Sequence, residues 1–140
     1  METAVIREIK ISDNIQIANL IRKVLADLGV PKVGTAYADS ALDCMFETYQ
    51  KSKAVYFIVE ENGKIIGGAG VAQLENYTGN VCELQKMYFL EEARGRGIGK
   101  AMMQKCLQAA KVFEFDKCYL ETMTYMKAAQ DLYKQSGFKY

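Results

Sequence analysis

Residues 81–122 constrain the fold more tightly than any other part of the chain. A strand-like run, VCELQKMYFL, gives way at residues 94–100 to the turn R-G-R-G-I-G-K, then to an amphipathic helix, then to a second strand-like run, KCYLET. A helix that joins two strands of one sheet returns the chain to its starting end, so the fourth and fifth strands are predicted to be parallel. Ile98, Met102, Cys106 and Ala110 recur every four residues, with Met103 and Leu107 beside them, as a helix with one buried face requires. In the first run, Cys82 and Leu84 fall out of phase with Met87 and Phe89. A β-bulge near Gln85 and Lys86 restores the phase, although a strand buried on both faces produces the same irregularity.

Upstream, AVIREI at residues 4–9 reads as a first strand, and Ser12 or Asp13 as the N-cap of a helix carrying Ile17, Leu20, Ile21, Val24, Leu25 and Leu28. Gly29 and Pro31 stop it. A second helical stretch carries Leu42, Met45, Phe46 and Tyr49. The run AVYFIVEE is a strand, and Asn62-Gly63, both tolerant of positive φ, turns it into a third, IIGGAGVAQL. A last helix turns Ala129, Leu132 and Tyr133 inward and ends at Gly137. The order βααβββαβα predicts an α/β protein with a mixed, mostly antiparallel sheet flanked by helices.

The chain's 140 residues suit a single domain, and a half-apolar composition with one proline suits an ordinary globular one. Basic and acidic residues balance to +1, which leaves no global field for nucleic acid or an anionic membrane, so any anion site is local. The N-terminus lacks the apolar core of a signal peptide and no apolar run is long enough to span a bilayer, so a cytoplasmic protein is expected. Cys44, Cys82, Cys106 and Cys118 are scattered and the chain has no histidine, which predicts buried reduced thiols and no metal site. The same absence removes nucleophile arrangements that need an imidazole, so Cys82 is expected to be a core residue rather than an acyl carrier.

The turn Arg94-Gly95-Arg96-Gly97-Ile98-Gly99-Lys100 lies where a helix N-terminus leaves backbone N–H groups unpaired and its dipole favours an anion. Glycine lets a phosphate oxygen approach those amides without meeting a Cβ. The dinucleotide fingerprint needs glycine at Lys100, and the Walker pattern needs glycine at Arg94 and a hydroxyl at Ala101, so neither fits. By Arg/Gly content alone, a solvated surface loop fits equally well.

The neighbouring residues add a resemblance. R-x-x-G-x-G, met by Arg94, Gly97 and Gly99, resembles the acyl-CoA pyrophosphate loop of the GNAT family of N-acetyltransferases; it follows E-L-Q-K-M-Y-F, similar to that family's fourth strand. A-Q-D-L-Y-K-Q-S-G-F resembles its A-x-x-L-Y-x-x-x-G-F segment through Ala129, Leu132, Tyr133, Gly137 and Phe138. The resemblance implies a GNAT-like sheet with the parallel fourth and fifth strands splayed apart, and acetyl-CoA as acetyl donor to a primary amine by direct transfer. It also implies backbone contacts to the coenzyme from Met87 and Phe89, with the Met87 N–H stabilising the developing oxyanion. By position, Glu83 is the candidate general base, with Glu121 or water as alternatives, and Tyr133 the candidate general acid.

The acceptor is expected between the first helices and the open end of the sheet, against Tyr37, Asp39, Ser40, Phe46 and Tyr49, with Asp39 able to pair with an ammonium group. Two departures stand out. Met126 occupies a position where the family often has a coenzyme-contacting asparagine, and the family's closing C-terminal hairpin is missing after Tyr140. An exposed fifth-strand edge implies either truncation, the favoured expectation, or a covering partner such as a second copy of the chain. A non-catalytic acetyl-CoA sensor is the alternative function.

Overall fold

The structure, a computed structural model, describes residues 3–29 and 39–120. Strands Ala4–Glu8 (β1), Val55–Glu61 (β2), Lys64–Gln73 (β3), Val81–Phe89 (β4) and Lys117–Tyr119 (β5) lie side by side in that order in one sheet. The first three ladders are antiparallel. The last is parallel, pairing Val81 with Lys117, Cys82 with Cys118 and Glu83 with Tyr119. Helices Asn14–Asp27 (α1) and Met45–Thr48 (α2) cover one face, and Ile98–Val112 (α3) covers the other.

β2 reads as an unbroken apolar run because both of its faces are buried. Tyr56 and Ile58 join the core under α1, while Val55, Phe57 and Val59 join the core under α3. Asn62 and Gly63 adopt φ of 52° and 81° and close the predicted hairpin between Glu61 and Lys64.

The phase slip in β4 is a bulge. Its register with β3 jumps from Gly70↔Gln85 to Gly68↔Tyr88, so Lys86 and Met87 together oppose Ala69, and Lys86 takes a φ of 49°. Leu84, Met87 and Phe89 thereby all face α3. Glu83, Gln85 and Tyr88 sit opposite Ala72, Gly70 and Gly68 on the face shared with α1 and α2.

Three local expectations need correction. Asp13 is the N-cap residue of α1, but its carboxylate does not cap the helix. It accepts the Lys10 N–H at 2.7 Å and both ends of the Arg7 guanidinium at 2.8 and 3.0 Å, and Arg7 also reaches Glu60 on β2. Burial would raise the Asp13 carboxyl, yet Arg7 and the Lys10 N–H outweigh it and hold the group below its ordinary value. The second helical stretch is a 3-10 segment, Ser40–Cys44, followed by the single turn of α2, because Cys44 leaves helical geometry at φ −134° and ψ 50°. The thiols are not uniformly buried either. Cys44 is exposed, and Cys82 and Cys118, remote in sequence, meet at one register level of the parallel ladder.

Candidate functional site

The turn between β4 and α3 leaves amides without a partner among the described residues. Leu90 donates its N–H to the Ile66 carbonyl at 2.9 Å, a short 3-10 segment spans Glu91–Ala93, and the chain then enters α3 through Gly95 and Gly97 at φ of 72° and 78°. Gly97 is the N-cap, in left-handed geometry, and supplies no side chain to cap the helix. The first bond into the helix runs from Ala101 N–H to the Gly97 carbonyl at 3.1 Å, so the amides of Ile98, Gly99 and Lys100 precede the intrahelical ladder. Among the described residues, a Cβ added at Gly95 or Gly97 would meet nothing within 4 Å, so open space lies against this backbone. The fifteen-residue α3 adds the positive end of its dipole at the same point.

The two arginines divide their work. Arg96 turns its guanidinium back onto Glu61 at the end of β2 and onto the Glu92 carbonyl, tying the turn to the hairpin. Arg96 and the Thr3 hydroxyl hold the Glu61 carboxyl down to about 2. Arg94, exposed, donates to the Phe89 carbonyl at 3.3 Å. Lys100 is exposed on the first turn of α3, and Ile98 is buried in the core beneath it.

Among the described residues, the β4–β5 ladder ends at Glu83↔Tyr119. Leu90 sends its N–H toward β3, so strand alternation turns the Phe89 N–H to the opposite edge of β4. The Met87 side chain is buried against α3.

On the opposite face, strand alternation sets a polar row. Glu83, half-buried, accepts a hydrogen bond from Gln85 Nε2 at 2.8 Å; Gln85 Oε1 accepts one from the Tyr49 hydroxyl at 2.7 Å. The Tyr56 hydroxyl donates to the Lys86 carbonyl at 2.7 Å. Rings of this size reach across β3 because Gly68 and Gly70 make way for them: a Cβ at Gly68 would sit 2.7 Å from the Tyr56 hydroxyl, and one at Gly70 would sit 3.1 Å from the Tyr49 ring. Asp39 accepts the Ala41 N–H at 2.9 Å through one carboxylate oxygen, capping the 3-10 segment, and its other oxygen lies 3.8 Å from Lys86 Nζ. Phe46 packs beside the core under α1.

Tyr49, expected as a wall of the acceptor site, also bonds Gln85, and Gln85, outside the expected site, is the hydrogen-bond partner of Glu83. The available signals were the i, i+2 spacing of Glu83 and Gln85 and the row of small residues in β3, which leaves room for large rings. The predicted positions Tyr37, Glu121, Met126 and Tyr133 lie outside the described residues.

The profile of the acetyltransferase (GNAT) family matches residues 22–138. An uncharacterised N-acetyltransferase of Escherichia coli (strain K12), YjgM, is 37% identical over 140 residues, covering 99% of this chain and 84% of that protein. A GNAT-family acetyltransferase of Staphylococcus aureus Mu50 superposes with a TM-score of 0.85 at 24% identity, covering 97% of this chain and 83% of that one. A predicted acetyltransferase of Clostridium acetobutylicum, solved with acetyl-CoA, superposes with a TM-score of 0.81 at 23% identity, covering 98% and 90%.

Proposed function

Because this chain belongs to the acetyltransferase (GNAT) family, acyl-CoA-dependent N-acyltransferases whose acetyl donor is acetyl-CoA, we propose that it acetylates a primary amine by direct transfer in a ternary complex. The observation that carries this reading is the uncapped start of α3, entered through two left-handed glycines with open space against their backbone. That arrangement suits a diphosphate, with the amides of residues 95–100 as donors and Arg94 and Lys100 as nearby cations. Arg96 contributes its backbone and braces the turn through Glu61.

When bound, acetyl-CoA supplies the acetyl group as a thioester, whose C–S bond breaks as the C–N bond to the amine forms. Met87 donates its N–H to the acyl oxygen, where negative charge grows, and Phe89 offers its outward backbone to the coenzyme's arm. Glu83 takes the acceptor ammonium's proton, directly or through one water, with Glu121 the other carboxylate suited by sequence position. Tyr133 returns a proton to the departing sulfur, a role that rests on its match to the family segment. The acceptor enters over the polar row of β4, between Tyr49 and the segment around Tyr37 and Asp39. Free thiols fit a reducing compartment, so the cytoplasm is the proposed location.

Incubating the protein with acetyl-CoA and a panel of amines, while following free thiol, tests the reading. Acceptor-dependent thiol release and a product heavier by one acetyl group are expected. Tight coenzyme binding without such release, across amino acids, polyamines and peptide N-termini, would overturn it in favour of a sensor.

A further inference from the structure

The chain Tyr49–Gln85–Glu83 has a defined polarity. Gln85 turns its NH2 toward Glu83 Oε1, 2.8 Å away, and its amide oxygen therefore away from the carboxylate. That oxygen can then be satisfied only by a donor, and the Tyr49 hydroxyl stands 2.7 Å from it. Tyr49 is 3% exposed, and burial pushes its hydroxyl far above the ordinary range, so it stays protonated and donates. Its ring is itself fixed, 5.2 Å from the Tyr56 ring and against Gly70. Among the described residues, Glu83 is held at Oε1 alone.

We propose that Tyr49 and Gln85 are positioning residues for the reaction: the buried tyrosine orients the Gln85 amide, and the amide holds one Glu83 oxygen so that the other faces the acceptor amine. The proposal rests on the reading of Glu83 as the base. A glutamate on a strand face otherwise samples several rotamers, and a base must lie within hydrogen-bond reach of its proton to act. Glu83 and Gln85, two residues apart, share the acceptor face by strand alternation, and the shift of register just beyond them, at Lys86 and Met87, returns Met87 to the α3 face.

The test is a mutant cycle with two readouts. Tyr49→Phe keeps the ring and removes only the hydroxyl; it is expected to lower kcat about tenfold, the scale of one lost hydrogen bond, with coenzyme A affinity unchanged. Gln85→Met should lose at least as much, and the double variant should be no slower than Gln85→Met alone. In a Glu83→Gln background, itself slower by on the order of a hundredfold, Tyr49→Phe should have no further effect on kcat. Independently of turnover, the Gln85 side-chain amide protons in a 15N correlation spectrum should move toward solvent-exposed positions in Tyr49→Phe. A slow Glu83→Gln beside a fully active Tyr49→Phe overturns the positioning role alone, as does an undiminished Tyr49→Phe effect in the Glu83→Gln background. A fully active Glu83→Gln overturns the base assignment and this proposal with it.

Discussion

Replacing Gly97 with alanine separates backbone strain from ligand recognition. Gly97 adopts a φ of 78°, where an L side chain costs about 1–2 kcal/mol. For a chain of this length that strain lowers Tm by about 3–8 °C. Gly63 supplies an internal control: its φ is 81°, a Cβ there also meets nothing within 4 Å, and it lies at the hairpin tip rather than at the start of α3. Gly63→Ala should therefore lose a similar amount of stability. The variants should part company in calorimetry with coenzyme A. At Gly97 the new methyl occupies the space against the amides that open α3, and losing one charge-assisted hydrogen bond costs about 1.5–3 kcal/mol, or about ten- to a hundredfold in Kd. Gly63→Ala should bind as the wild type does. Unchanged affinity in Gly97→Ala, alongside the same fall in Tm as Gly63→Ala, would refute the assignment of this turn to the diphosphate.

Two further outcomes concern the scaffold. Glu61 has a folded value of about 2 against an ordinary 4.5, so the stability it adds is fully present above pH 4.5 and is lost as pH falls toward 2. The Tm difference between wild type and Glu61→Gln, followed by calorimetry across that window, should shrink to nothing at its acidic end; a difference independent of pH would mean that Arg96 does not anchor the turn through this carboxylate. Gly70→Ala would bring a Cβ to 2.7 Å from the Val55 carbonyl oxygen and from the Tyr56 ring, and to 3.1 Å from the Tyr49 ring. Overpacking of this kind should cost about 1–3 kcal/mol in urea unfolding and slow turnover by displacing Tyr49; wild-type stability would contradict the close packing described for β3.

Features legible in the sequence were those a few adjacent residues decide. Asn62-Gly63 specifies its turn because both residues accept positive φ, and the four-residue recurrence from Ile98 to Ala110 specifies α3 because one helix face must be buried. The phase slip at Gln85 and Lys86 recorded the bulge for the same reason, since side chains alternate strictly along a strand unless a residue is inserted. Tertiary structure alone decided which side chains meet. Tyr49 and Gln85 are 36 residues apart, and Arg96 and Glu61 35 apart, so neither pair leaves a local trace. Their meeting depends on sheet register and on the room left by Gly68 and Gly70, and register is a property of paired strands rather than of any one segment.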